Sequence, residues 1–172
     1  NAIHYENMSI ALAESVANQG QGFISSMAFG NGGTSVDPTG IITYLTPNST
    51  GTNASLYNQT FTKIVDDRSV SNLDPQRNKI ETRHVNGTNY TDVVVTCLLD
   101  YGEPNGQDAT DTASATDSLY VFDELGLTSY ASSGTGKLLT HVIFHPVQKS
   151  LNRLIQIDYT VRVQSLTGFN EG

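Results

Sequence analysis

The 172-residue chain is poor in charge and cysteine, lacks tryptophan, and has no long hydrophobic run. Charged residues make up only 15% of it, and the formal net charge is −8. A surface that binds nucleic acid or an anionic membrane needs clustered Lys and Arg, so we expect neither partner. No apolar run approaches the length of a membrane span. We find no signal peptide, and because the chain begins at Asn1 without a methionine we expect processing or trimming there.

Cys97 is the only cysteine. One thiol can form neither an intrachain disulfide nor a zinc site. It lies within the apolar segment Val93–Leu99, so we expect it to be a small buried side chain. Ser, Thr, Asn and Gly take the place of the missing charges. This composition favours one all-β domain with many turns and a real core over a helical enzyme.

The clearest periodic segment is Leu154–Gln164. Its odd-numbered residues are β-branched or aromatic, and its even-numbered residues are polar. Successive side chains of a strand point to opposite faces, so this alternation predicts a half-buried strand. Such a strand needs neighbours for its backbone and a second layer for its apolar face.

Other segments have strand-like composition, and turn residues separate them. Asn86-Gly87 is a reverse-turn dipeptide that predicts a hairpin between 79–85 and 92–99. The nearly continuous apolar run in the second of these predicts a central strand. The remaining predicted strands are 23–29, 41–45, 57–66, 119–127 and 137–144. Pro146 is expected to terminate the last of them. The pattern predicts a mainly β fold, an antiparallel β-sandwich or partly open barrel with one short N-terminal helix.

Residues 3–17 form the predicted helix, with Tyr5, Met8, Leu12 and Val16 on one apolar stripe. A helix this short is marginal alone, so the stripe must dock either on the sheet of its own domain or on a neighbouring chain. We therefore expect an N-terminal helix and linker over 1–22, a β-sandwich domain over 23–164, and a loose C-terminal tail over 165–172.

The sequence contains no recognisable catalytic motif. Gly30–Gly33 is not a phosphate loop, because neither a Lys-Ser/Thr pair nor a helix pattern follows it. Asp123 and Glu124 are adjacent, so on a strand they would face opposite sides and would not form an acid/base pair. We expect a non-enzymatic protein with no catalytic residues and no cofactor.

Metal binding and glycosylation are also not expected. His141 and His145 would lie about 13 Å apart on one strand face, too far for one ion, which favours structural or surface roles. The acidic segment 101–118 reads as an exposed loop. Its Asp108, Asp111 and Asp117 lack EF-hand spacing, so a solvated loop is favoured and ion binding stays open. Six Asn-x-Ser/Thr sites occur, but chance explains much of that count in such a chain. They are Asn7, Asn48, Asn53, Asn58, Asn86 and Asn89.

Three segments carry a resemblance to a known group of proteins. The first is Met27–Gly33, followed by Ala54–Phe61; the second is Val121–Thr128; the third is Leu138–Lys149 with the strand after it. They resemble tailed-bacteriophage virion proteins, in particular the attachment domains of tail, baseplate and collar components. Those domains carry a Gly-[Asp/Asn]-Gly-Gly start, a Glu-[Val/Leu]-Gly-Leu centre and a closing Phe-x-Pro-[Val/Ile]-x-Lys segment before a strand.

The resemblance implies a structural component of the virion that acts through contacts with copies of itself and with other virion proteins. Two alternatives stay open: a capsid decoration protein, and a carbohydrate-binding β-sandwich for host recognition, which would need exposed aromatic residues on one groove. We also expect Glu124 to be a partly buried carboxylate held by backbone N–H groups. The candidate interface residues are Tyr5, Met8, Leu12, Val16, Asn31 and Glu124.

Overall fold

The computed structural model describes residues 2–104 and 119–166. It confirms a mainly β fold with antiparallel sheets and one short helix. Asp108, Asp111, Asp117 and most of the expected C-terminal tail lie outside the described residues. The elements are β1 (Ala2–Ile3), α1 (Tyr5–Val16), β2 (Ile24–Gly30), β3 (Thr34–Val36), β4 (Ile42–Tyr44), β5 (Gln59–Ile64), β6 (Lys79–His84), β7 (Tyr90–Leu99), β8 (Leu119–Ser129), β9 (Thr140–Ser150) and β10 (Ile155–Gln164).

The strands form two main sheets and a small ribbon. The larger sheet has the order β1-β9-β8-β2-β5, the second has the order β10-β7-β6, and β3 pairs with β4. Every pairing is antiparallel. Within the described parts of the chain the sheets do not close into a barrel, and the arrangement is sandwich-like. No helix in those parts is long and apolar enough to cross a membrane.

The core lies between the inner faces of the two main sheets. Phe29 and Phe122 of the larger sheet pack edge to face, and Val95 and Leu99 of β7 belong to the same buried cluster. The predicted central strand is confirmed, since β7 lies between β6 and β10. Cys97 is fully buried there, and burial raises the pKa of its thiol to about 12. The thiol therefore behaves as part of the core.

The alternation predicted for β10 is confirmed from Ile155 to Arg162, whereas Val163 is 40% exposed. Val161 is buried, and Ile155, Ile157 and Tyr159 pack against the core cluster. The even-numbered residues of the strand are exposed. Burial of the apolar face is the main stabilising contribution of such a strand, because the hydrophobic effect scales with apolar area removed from water.

One sequence expectation about strands was wrong, and two short strands were missed. β9 does not stop before Pro146, because it continues to Ser150. The pairing with β8 is irregular there, between Phe122 and Glu124 on β8. Proline cannot donate to a sheet ladder and is tolerated at bulges, which explains why the strand passes through it. The two short strands β1 and β3 were not predicted, since neither is long enough to show a period.

The apolar stripe of the helix is not its buried face, which corrects the expectation that the stripe docks on its own sheet. Tyr5 is 77% exposed and Val16 is 90% exposed, and only Met8 of the stripe packs against the core. The buried positions of α1 are Asn7 and Ala11. The alternative, a stripe that faces a neighbouring chain, stays a prediction.

Polar contacts at the start of α1 explain this orientation. The Nδ1 atom of His4 accepts a hydrogen bond from the backbone N–H of Asn7 and caps the helix. The Asn7 side-chain amide donates to the backbone carbonyl of Leu138 at 2.9 Å. β1 adds a further constraint, because Ala2 and Ile3 pair with His141 and Thr140 of β9. The helix is thus held by its first turn rather than by its apolar stripe.

Candidate functional site

Glu124, on β8, is fully buried and lies at the centre of a polar cluster. Its Oε1 atom accepts hydrogen bonds from the backbone N–H of Tyr57 at 2.9 Å and from Nε2 of His141 at 2.8 Å. Its Oε2 atom accepts from the backbone N–H groups of Gly32 and Asn58, both at 2.9 Å. The sequence expectation of a carboxylate held by backbone N–H groups is confirmed, and the burial is complete, with no exposed surface on Glu124.

The hydrogen bonds of His141 fix its protonation state. Nδ1 accepts from the backbone N–H of Asn48 at 2.8 Å, so that nitrogen carries no proton. Nε2 therefore carries the proton and donates it to Glu124, which leaves the imidazole neutral. The Glu124 carboxylate is thus stabilised by four N–H donors in place of a cation.

These contacts also set the acidity of the carboxyl group. Burial alone would raise the pKa of Glu124, but hydrogen bonds from His141 and from the backbone of Asn58, Tyr57 and Gly32 outweigh it. The net result is a pKa below the ordinary value of 4.5. Hydrogen bonds to the charged form of an acid favour that form, so Glu124 is ionised at neutral pH.

Asp123 binds the next residues of the turn between β2 and β3, of which Gly32 binds Glu124. Its Oδ1 atom accepts from the backbone N–H of Gly33 at 2.8 Å, and its Oδ2 atom accepts from the backbone N–H of Thr34 at 2.9 Å and from the Thr34 hydroxyl at 2.5 Å. Although the sequence places Asp123 and Glu124 on opposite faces of a strand, both carboxylates bind the turn between β2 and β3. Each has its own donors, so their arrangement is that of two anchors for one loop.

The glycines of this turn are needed because backbone and carboxylate come close. A Cβ atom on Gly30 would lie 2.3 Å from the carbonyl oxygen of Asn58 and 2.7 Å from Oε2 of Glu124. A Cβ atom on Gly32 would lie 2.7 Å from Cβ of Tyr57. Cβ atoms do not approach non-bonded atoms this closely, so a side chain at either position would push the turn away from Glu124.

The Glu124 cluster is a structural joint, a place where separate segments of the chain are bound to one side chain. It holds the turn after β2, the segment before β5 and the start of β9 against the middle of β8. The Glu124 carboxylate has four donors and no exposed surface, so no substrate could reach it without local opening of these loops. No group of three or more His, Cys, Asp or Glu residues suited to a metal ion occurs in the ranges 2–104 and 119–166.

The two histidines that sequence spacing singled out have different environments. His141 is buried in the cluster, whereas His145 is exposed and hydrogen-bonds to the carbonyl of Pro146 through Nδ1. The contact between His141 and Glu124 was missed by sequence reasoning. The signal available was that both residues fall within the segments that carry the resemblance.

The other predicted interface residues are not brought together at this site. Asn31 lies in the turn after β2, where its Oδ1 atom accepts from the Asn58 side-chain amide at 2.6 Å. Tyr5 and Val16 are largely exposed, and Leu12 is 42% exposed beside the three-stranded sheet. Because Glu124 has no exposed surface, any effect it has on assembly must be exerted through the loops it holds.

A second buried polar group, Lys149 on β9, was also missed. Its ammonium group donates to the carbonyl oxygens of Asp100, Glu103 and Ser150 at distances of 2.8–2.9 Å. Burial lowers the pKa of Lys149, although the nearby carboxylates of Glu103 and Asp100 act in the opposite direction. Three carbonyl acceptors satisfy the three donors of an ammonium group, so this lysine fixes the start of the segment after β7, from Asp100 to Glu103.

Comparison with known proteins gives no assignment. No protein-family model matches the chain, and neither the curated proteins nor the solved structures contain a significant match to it.

Proposed function

We propose that this protein is a non-enzymatic structural component of a tailed-bacteriophage virion, in the tail, baseplate or neck-collar region, and that it acts through contacts between subunits. The observation that carries the proposal is the convergence of the resembling segments on one joint. Gly32 comes from the first segment, Tyr57 and Asn58 from its continuation, Glu124 from the second and His141 from the third. Because the three segments contribute to one cluster, a single structural requirement explains their residues.

The chemistry of the joint supports a structural role. Its carboxylate is fully hydrogen-bonded and sealed from solvent, which suits a protein that must keep its shape within a particle. A buried network in which every member is satisfied makes the fold rigid and specific. Reactive groups would need access to solvent, which Glu124 and His141 do not have.

The outer surface supports subunit contacts. A cleft of about 490 Å³ runs between α1 and the three-stranded sheet, and Met8, Leu12, Ile80, Val93 and Val163 are among the residues that line it. The stripe residue Val16, at the end of α1, is 90% exposed. Apolar clefts and exposed apolar side chains are features of interaction sites in soluble proteins.

Quantitative mass spectrometry of purified particles from the phage that encodes the chain tests the proposal. We expect a fixed copy number per particle, a multiple of the symmetry order of the tail or neck, with density for the β-sandwich in that region of a cryo-EM map. Absence from particles, or recovery only in the unassembled fraction of the lysate, would refute it. Density on the head surface would instead identify the capsid-decoration alternative.

A matched pair of variants tests the helix stripe within the particle. Val16→Asp places a charge on the exposed stripe, and Val70→Asp places the same charge on a side chain that is 99% exposed in the loop after β5. Since neither residue is in the core, both variants should fold normally. We expect only Val16→Asp to reduce incorporation into particles, and equal incorporation would remove the stripe from the interface.

A further inference from the structure

β10 has an open edge along its whole length. β7 is the only strand that pairs with it in the described chain, and the register runs without a shift from Ile155 to Gln164. The same ladder continues one residue further, where the Ser165 N–H donates to the Asn89 carbonyl at 2.9 Å. An open strand edge of this length is a template for pairing with another chain.

The bond at Ser165 shows which backbone groups point outwards. In an antiparallel ladder, directly opposite residues alternate between hydrogen-bonded and non-hydrogen-bonded pairs. Because Ser165 and Asn89 form a bonded pair, the odd-numbered residues of β10 bond to β7. The even-numbered residues direct their N–H and C=O groups to the open edge, and these are Gln156, Asp158, Thr160, Arg162 and Gln164.

The side chains of those even-numbered positions form a chemical palindrome. Read from 154 to 166, they are Leu, Gln, Asp, Thr, Arg, Gln and Leu. Reversing the order exchanges only Asp158 and Arg162, which have opposite charges. Two antiparallel copies with Thr160 opposite Thr160 would therefore pair Asp158 with Arg162 twice, Gln156 with Gln164 twice and Leu154 with Leu166 twice.

We propose that the open edge of β10 pairs with β10 of a second copy of this chain, antiparallel and centred on Thr160. The two three-stranded sheets then become one continuous six-stranded sheet with the order β6-β7-β10-β10-β7-β6. This contact is isologous, since each copy uses the same surface. The proposal deepens the proposed function by naming one of its subunit contacts, and it rests on that function for the setting in which copies meet.

Both faces of the strand fit this register. On the core face, Tyr159 comes opposite Val161 of the second copy, an aromatic and β-branched pair of the kind that stabilises adjacent strands. On the outer face, Leu154 is 41% exposed and Leu166 is 92% exposed in the single chain. Each would gain an apolar partner at one end of the contact.

Arg162 has donors to spare for the new partner. Its guanidinium binds the Asp92 carboxylate on β7 through Nε at 2.8 Å and through one terminal nitrogen at 3.2 Å. A guanidinium has five N–H donors, so Asp158 of the second copy could bind the remaining ones. Within the described residues, the Asp158 carboxylate is contacted by the Gln156 side-chain amide, at 3.2 and 3.4 Å.

The edge has room for a strand. A cleft of about 490 Å³ lies beside Tyr159–Arg162, and its other wall includes Ala2, Ile3 and Tyr5. The Tyr5 side chain is 77% exposed above it. An incoming strand would enter this cleft without displacing any described β-pairing of β10.

Analytical ultracentrifugation of the full chain tests the pairing. We expect a dimer for the wild type, and Thr160→Pro should raise the dimer dissociation constant by at least about tenfold, because proline removes the central outward N–H of each copy. Thr160→Ala keeps that N–H and is the matched control, with an unchanged dimer. A monomeric wild type at high micromolar concentration, or equal dimerisation of both variants, would overturn the proposal.

A charge exchange tests the register. Asp158→Arg and Arg162→Asp each place like charges opposite one another in the homodimer, and each should weaken it by about tenfold. An equimolar mixture of the two variants restores both attractive pairs, so we expect heterodimers at nearly wild-type affinity. Failure of the mixture to associate would contradict the register. Because Arg162→Asp loses its contact with Asp92, its melting temperature is measured alongside.

These results are separable from the test of the proposed function. A chain that is monomeric in solution but present in particles would refute the β10 contact and leave the structural role standing. A β10-paired dimer that is absent from particles would do the reverse.

Discussion

The Glu124 cluster and the β10 edge differ in what their backbone polar groups bind. At Glu124, N–H groups from separate loops converge on one carboxylate, and the site is closed to water. At β10, a row of outward N–H and C=O groups has no β-partner within the described chain. The first region holds separate segments of the chain together, and the second is the surface on which we propose that a second copy pairs.

This difference shows where substitutions should act. A change in a closed network leaves buried donors without partners, and its effect should appear in the stability of the isolated chain. A change at an open edge leaves groups that water can satisfy, so its effect should appear in association. The following predictions test that division, in order of decreasing expected effect.

Glu124→Ala should have the largest effect. It removes a fully buried acceptor and leaves four N–H groups without their partner, so we expect the free energy of unfolding to fall by about 3–5 kcal/mol. Urea denaturation followed by circular dichroism measures it. Thr160→Ala, at an exposed position, is the control and should change stability by less than about 0.5 kcal/mol. A Glu124→Ala variant that folds and assembles like the wild type would end the structural role assigned to this carboxylate.

Gly30→Ala should come next. Its new Cβ atom would lie 2.3 Å from a backbone oxygen of Asn58, so the turn must shift, at a cost of about 1–3 kcal/mol. Gly40→Ala is the matched control, since Gly40 has open space around it and a positive φ of 88°. That variant should lose only about 1 kcal/mol, the usual cost of a non-glycine residue in this conformation. Equal losses in thermal or urea unfolding would mean that close approach is not what selects glycine at position 30.

Acid should destabilise the wild type through Glu124. Its folded pKa lies below 4.5, so the unfolded state binds the proton first as the pH falls. The stabilisation is therefore complete above the unfolded pKa and is lost as the pH drops through the folded pKa, with a slope of at most about 1.4 kcal/mol per pH unit. Urea midpoints measured from pH 6 to pH 3 test this. Glu124→Gln cannot titrate and should show a shallower slope, whereas identical slopes would exclude Glu124 as the source.

Thr160→Pro should have the smallest effect on the isolated chain. The Thr160 N–H points away from β7, so at concentrations where the chain is monomeric the loss should stay within about 1 kcal/mol. Val161→Pro removes an N–H that bonds to β7 and should cost about 3 kcal/mol or more. Melting of dilute samples compares them. Similar losses in the two variants would show that the outward and inward assignments are wrong.

The sequence was most informative where local pattern and burial agree. The alternation of β10 and the apolar run of β7 predicted both strands within a few residues, and Asn86-Gly87 predicted their hairpin partner β6. Glu124 was predicted to be buried and held by N–H groups because it stands among apolar residues. These features depend on near neighbours in the chain, so their pattern is visible without coordinates.

The helix shows why other features could not be predicted. Its apolar stripe favoured burial of Tyr5, Leu12 and Val16, but the hydrogen bonds of His4 and Asn7 rotate a different face inwards. Asn7 binds a carbonyl 131 positions away in the chain. A hydrophobic pattern does not reveal such a polar contact, because its partner is set by the folded topology.

The amino-acid sequence by itself determined the class of fold, the two-faced strand β10 and the chemical palindrome along its edge. Only the tertiary structure decided that Glu124 meets His141, that the glycines of one turn lie against that carboxylate, and that the β10 edge has no neighbour in the described chain. The physical reason is range. Strand periodicity and turn preference arise from adjacent residues, whereas buried hydrogen bonds and open edges depend on which distant segments the sheets bring side by side.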